Sequence, residues 1–120
     1  MFSSFVHELH ERRIKVGVAL LQDTSIEILH HFIKVIDHVL IFSGQLGHHG
    51  GTADLSLLDK VRAVRQMAPH IEIGWDGGIN ADNVPALREA GVTVFNTGAF
   101  IQNSQDPQTA YHSLTNLFQS

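Results

Sequence analysis

Apolar positions along the chain alternate between helical spacing and short continuous runs. Phe2, Phe5, Val6 and Leu9 recur at helical spacing with charges opposite, which predicts an amphipathic helix up to about Arg13. Lys15-Val16-Gly17-Val18-Ala19-Leu20 follows, a near-continuous apolar run of strand length of the kind a parallel sheet covered on both faces produces. Asp23, Thr24 and Ser25 offer cap chemistry for a second helix through about Ile36, with Ile26, Leu29, Ile33 and Ile36 inward. The second strand is Val39–Phe42, and residues 43–52 form the longest loop. Over 55–67, Leu57, Leu58, Val61, Val64 and Met67 make one stripe, leaving Asp59, Lys60, Arg62 and Arg65 outside it. Pro69 ends that helix. A third strand runs from about His70 to Trp75, and Asn80 or Asp82 caps a helix that Gly91 closes near Ala90. A fourth strand covers Val92–Asn96, and Asp106-Pro107 opens a last helix to about Phe118.

Strands alternating with helices imply a parallel sheet with right-handed crossovers, in one α/β domain spanning residues 1–120. Two architectures satisfy that order, an open doubly wound sheet and part of a (β/α)8 barrel. In both, the loops after the strands open at the same end, so residues 43–52, 76–80 and 97–100 are expected to converge. Glu72 and Gly74 share the parity of Asp76 and face inward, whereas Ile71, Ile73 and Trp75 face helices.

Composition narrows the function classes. Hydrophobic residues make up 43% and charged residues 17%, as in a globular chain. The absence of cysteine removes disulfide and thiolate chemistry. Apolar runs are too short to span a bilayer, and Met1-Phe2-Ser3-Ser4 lacks the basic start of a secretory leader, so the expectation is a cytoplasmic protein without a membrane partner. A net charge of -4 without a basic stripe argues against nucleic acid.

Chemistry concentrates in Asp76-Gly77-Gly78-Ile79-Asn80, where an acid ends a strand beside two glycines whose backbone can turn successive N–H groups toward one anion. Seven of the ten glycines (Gly44, Gly47, Gly50, Gly51, Gly77, Gly78 and Gly98) fall in the three loops expected to converge. Turn glycines alone would scatter to both ends; a backbone-lined anion pocket gathers them, and a phosphorylated substrate follows. His48-His49 with Asp76 is an alternative metal set, although adjacent side chains diverge. His30, His31 and His38 read as surface residues.

The runs Val16–Leu20, Val39–Ser43, Asp76–Asn80, Arg88–Val92 and Gly98–Ile101 resemble the second half of ribulose-phosphate 3-epimerases, from about Lys15 to Ile101. The resemblance implies the C-terminal half of a TIM (β/α)8 barrel, with parallel βα repeats, four strands and about five helices. It also implies interconversion of ribulose 5-phosphate and xylulose 5-phosphate in the pentose phosphate pathway. Asp76 would be one of two catalytic acids and a ligand of a divalent metal (zinc, iron, manganese or cobalt). Gly47, His48, His49, Gly50, Gly77, Gly78, Gly98 and Ala99 would bind the phosphate. Aligned without a gap, the family's usual P-G-F-G-G-Q stands here as Leu46-Gly47-His48-His49-Gly50-Gly51, whereas one inserted residue restores Gly50-Gly51 as the glycine pair; Ala99 replaces a usual serine. The other acid and the metal-binding histidines belong to the family's first four strands, so the chain is expected to be inactive alone. Two partners follow, a second copy or a complementary half-barrel. The alternatives are a non-catalytic sugar-phosphate-binding or pairing module, and a related barrel lyase such as hexulose-phosphate synthase.

Overall fold

The computed structural model describes residues 2–44 and 52–119. Its elements are α1 (Phe2–Glu11), β1 (Gly17–Leu20), a 3-10 helix (Ile26–His31), β2 (His38–Phe42), a 3-10 turn (Leu55–Leu57) running into α2 (Leu58–Met67), β3 (Glu72–Asp76), α3 (Val84–Ala90), β4 (Val94–Asn96), α4 (Ala99–Gln102) and α5 (Pro107–Gln119). The four strands form one parallel sheet in the order β1-β2-β3-β4.

That order selects between the two architectures. A doubly wound sheet reverses its strand order at a switch point and so places helices on both faces. Here each strand lies beside its predecessor, and right-handed crossovers then put every connection on the same face. Burial agrees. Leu20, Val39, Ile41, Ile73 and Trp75 are buried against Leu29, Val61, Val64, Val84 and Leu87. On the opposite face, Gly17, Ala19, Glu72 and Asn96 are exposed, and Leu40, Phe42, Asp76 and Val94 are half-buried. The sheet is one wall of a barrel whose inner surface lies open.

β1, β3 and β4 each begin about two residues later than expected, and at β1 and β4 side chains take over the ladder. The Val16 N–H donates to the Asp37 carboxylate (2.7 Å), so β1 begins only at Gly17. The Thr93 hydroxyl accepts the Ile73 N–H (3.0 Å), replacing a backbone acceptor where β4 was expected to start. The second helix is a larger correction: only Ile26–His31 is helical, as 3-10, and turns follow. Ile26, Ile28, Ile33, Val35 and Ile36 are β-branched, which disfavours continuous α-helix, yet Leu29, Ile33 and Ile36 still reach the core. α4 adds a one-turn helix where a loop was expected. Among the described residues no helix is long and apolar enough to cross a membrane.

α1 buries only Val6 and is also held by His10, whose Nε2 lies 2.9 Å from Asp37 Oδ2. The Val16 N–H and then His10 hold the Asp37 carboxyl below its ordinary value of 3.8. A depressed carboxylate contributes stability that is complete above its unfolded value and is lost as pH falls through the folded one. Acid titration between about pH 4 and pH 2 should therefore destabilise the parent chain more than Asp37→Asn, with circular dichroism as the readout. Equal acid sensitivity of the two chains would dismiss this latch.

Candidate active site

Three strand ends meet at one mouth. Phe42, Ser43 and Gly44 after β2, Asp76–Asn80 after β3, and Asn96, Gly98, Ala99 and Phe100 after β4 line a single cavity of about 690 Å³, completed by Gln102 and Asn103. Asp76 ends β3 on the inner face and is half-buried in this wall. Gly47, His48, His49 and Gly50, expected at the same mouth, lie outside the described residues.

The turn after Asp76 is fixed from several sides. Gly77 and Gly78 take φ of +121° and +69°. A Cβ on Gly77 would overlap the Ser43 carbonyl oxygen, and one on Gly78 would overlap the Ala53 nitrogen. These glycines therefore serve a close approach between two loops, whatever ligand they also serve. Ser43 is buried; its N–H donates to Asp76 O (2.7 Å) and its Oγ accepts from Asp54 N (2.7 Å). Trp75, fully buried against helices as expected, donates its indole N–H to Gly77 O (2.9 Å).

Asparagines complete the turn. Asn80 Oδ1 accepts from the N–H groups of Asp82 (2.9 Å) and Asn83 (3.0 Å). Asn83 accepts from Asn80 N and donates to Gly78 O, each at 2.9 Å. Asp82 makes no cap bond among the described residues; Asn83 holds the cap position of α3 without a side-chain cap bond, and Asn80 closes the turn that leads into it. With the backbone held this way, the N–H groups of Gly77, Gly78 and Ala99 donate to no acceptor among the described residues. An acceptor-only carboxylate beside unpaired backbone donors suits a ligand carrying both hydroxyl and anionic oxygens.

Other expected features move. His38, read as surface, stands on the inner face with Nδ1 2.8 Å from Glu72 Oε1. Among the described residues no group of three or more His, Asp or Glu side chains is placed to hold a metal ion. Asn83 and Asn96 were not singled out from sequence. The Asn80-x-x-Asn83 spacing signals the first, whereas the second needs the strand register.

The family model for ribulose-phosphate 3-epimerases matches residues 1–102. This chain belongs to the ribulose-phosphate 3-epimerase family. It is 34% identical over 116 residues to a ribulose-phosphate 3-epimerase of Mycobacterium leprae, covering 90% of this chain and 50% of that protein. Against the Schizosaccharomyces pombe epimerase the identity is 29% over 111 residues, covering 92% and 49%. The chain thus spans about half the length of the curated relatives it matches. Among solved structures, 3-hexulose-6-phosphate synthase from Salmonella typhimurium superposes with a TM-score of 0.76 at 18% identity, over 98% of this chain and 56% of that one. KGPDC from Streptococcus mutans gives 0.72 at 16% identity, over 98% and 54%. These two likenesses establish the fold alone, and both extend over about half a barrel.

Proposed function

We propose that the chain is an epimerase half-barrel that grips the phosphate of ribulose 5-phosphate and supplies one of the two acids for its interconversion with xylulose 5-phosphate. The observation that carries this reading is the placement of Asp76 in one cavity with N–H groups of Gly77, Gly78 and Ala99 that are unpaired among the described residues. Those amides and Gly98 hold phosphate oxygens, and the family resemblance adds Gly47, His48, His49 and Gly50, which lie outside the described residues. Asp76 exchanges a proton with the carbon beside the ketone. Inverting that carbon through an ene-diolate needs a second proton carrier on the opposite face, which one carboxylate cannot provide.

A divalent metal does not fit the described residues alone. Asp76 offers a carboxylate ligand, but among the described residues it belongs to no group of three or more His, Asp or Glu side chains able to hold a metal ion. The remaining ligands and the second acid would come from four further strands. The inner face and the edges of β1 and β4 provide the surface for such strands, contributed by a second copy or a complementary half-barrel. On this reading the protein is cytoplasmic and inactive as an isolated chain.

Thermal unfolding tests the grip. Ribulose 5-phosphate at 100 times its Kd should stabilise the chain by about 2.7 kcal/mol, and inorganic phosphate should also protect. No shift with either at millimolar concentration overturns the reading. Epimerisation by the pure chain, abolished by Asp76→Asn, would keep the site but overturn the claim that it is only half an active one.

A further inference from the structure

The cavity holds a second polar side chain aligned with Asp76. In the strand register Phe42 pairs with Asp76 and Asp76 pairs with Asn96, so the three form one row across the inner face at its loop end. All three line the cavity. Neighbouring strands lie about 4.8 Å apart, which sets the Asn96 carboxamide beside the Asp76 carboxylate with Phe42 as an apolar wall.

The asparagines of this rim divide by role. Asn80 and Asn83 spend their amides on the turn that carries Gly77 and Gly78. Asn96 is exposed, and its amide has no hydrogen-bond partner among the described residues. It contributes nothing visible to the fold. A carboxylate only accepts hydrogen bonds, whereas a carboxamide both donates and accepts. Side by side, the two groups can engage hydroxyl and carbonyl oxygens on adjacent carbons of a ligand, and a bare phosphate has no carbon chain to present them.

We propose that Asn96 is a specificity-determining residue, hydrogen-bonding an oxygen next to the carbon that Asp76 addresses, so that the site selects a hydroxyl-bearing ketose phosphate over phosphate alone. The inference rests on the sugar-phosphate reading above and adds to it which groups read the carbon chain. A backbone grip fixes one end of such a ligand, and the Asp76–Asn96 row meets the rest.

Calorimetric titration of the full chain separates the two ends of the ligand. The parent should bind ribulose 5-phosphate more tightly than inorganic phosphate. Asn96→Leu, close in size but without hydrogen-bonding atoms, should lose about tenfold or more in affinity for ribulose 5-phosphate while binding inorganic phosphate as the parent does. Asn96→Ala should repeat that split, and it serves as the test if the leucine variant fails to fold. Unchanged ribulose 5-phosphate affinity in a folded variant overturns the proposal. So does an equal loss for both ligands, which would make Asn96 part of the phosphate grip or of the scaffold. A parent chain that binds neither ligand overturns the underlying sugar-phosphate reading instead, and the parent measurement alone reveals that case.

Discussion

Gly77→Ala is expected to lower stability by about 3 kcal/mol or more, among the largest losses available to a single methyl group in this chain. Two costs combine. The backbone at φ +121° is one that side-chain-bearing residues rarely adopt, and the added carbon would overlap the Ser43 carbonyl oxygen. Ser43 cannot simply withdraw, because its N–H is bonded to Asp76 O and its hydroxyl to Asp54 N. Gly98→Ala is the matched control: nothing lies within 4 Å of the position its Cβ would take, and φ is -131°. That variant should stay within about 0.5 kcal/mol of the parent. Urea unfolding of both measures the difference as a shift in midpoint at constant slope. Equal midpoints for Gly77→Ala and Gly98→Ala would mean that the two loops do not pack as described.

Arg65→Met should cost about 3 kcal/mol, through polar groups alone. The Arg65 guanidinium donates to Pro69 O (2.9 Å), Ile71 O (2.6 Å) and Gly91 O (2.6 Å). It thereby ties α2 to the start of β3 and to the turn before β4, at the end of the sheet remote from the cavity. Burial lowers the pKa of this guanidinium, and the three carbonyls compensate for the water it has lost. Methionine keeps much of the aliphatic stem but leaves part-buried carbonyls without a donor. Ligand affinity should be unaffected in the folded fraction, since Arg65 does not line the mouth. A urea midpoint matching the parent would show that water replaces the guanidinium at little cost.

These two residues show where sequence reading succeeds and where it stops. The order of strands and helices was legible because each apolar run had the length and period of its element, as in Val39–Phe42 and the Leu58–Val61–Val64 stripe. The meeting of Ser43 and Gly44, Asp76–Asn80 and Gly98–Phe100 at one mouth followed from parallel topology alone. Arg65 and Lys60, however, appeared as solvent-facing charges on the outer side of α2. In the fold, Lys60 Nζ donates to Gln22 O and Thr24 O, each at 2.6 Å, so it organises the loop after β1. Helical periodicity reports which side of a helix is apolar; it carries no information about carbonyls that distant segments bring within reach of a long cation. Gly77 and Gly78 were recognised as a turn, but the backbone pressed against them comes from residues 43, 52 and 53, a proximity no local pattern encodes. Asn96 was invisible for a related reason. Its importance arises from standing opposite Asp76, and the pairing register is a property of the folded sheet.

The imidazole on the inner wall couples three positions that lie far apart in the chain. A Cβ at Gly74 would meet the His38 ring at 2.9 Å, and one at Gly17 would meet the same side chain at 3.1 Å. The ring fills space left open because residues 17 and 74 carry no side chain. A methyl at 74 would oblige the ring to swing aside, whereas one at 17 would press on the Cβ and carbonyl oxygen of residue 38, which most substitutions there would keep; any foreign half-barrel grafted onto this wall meets a surface moulded around one aromatic heterocycle.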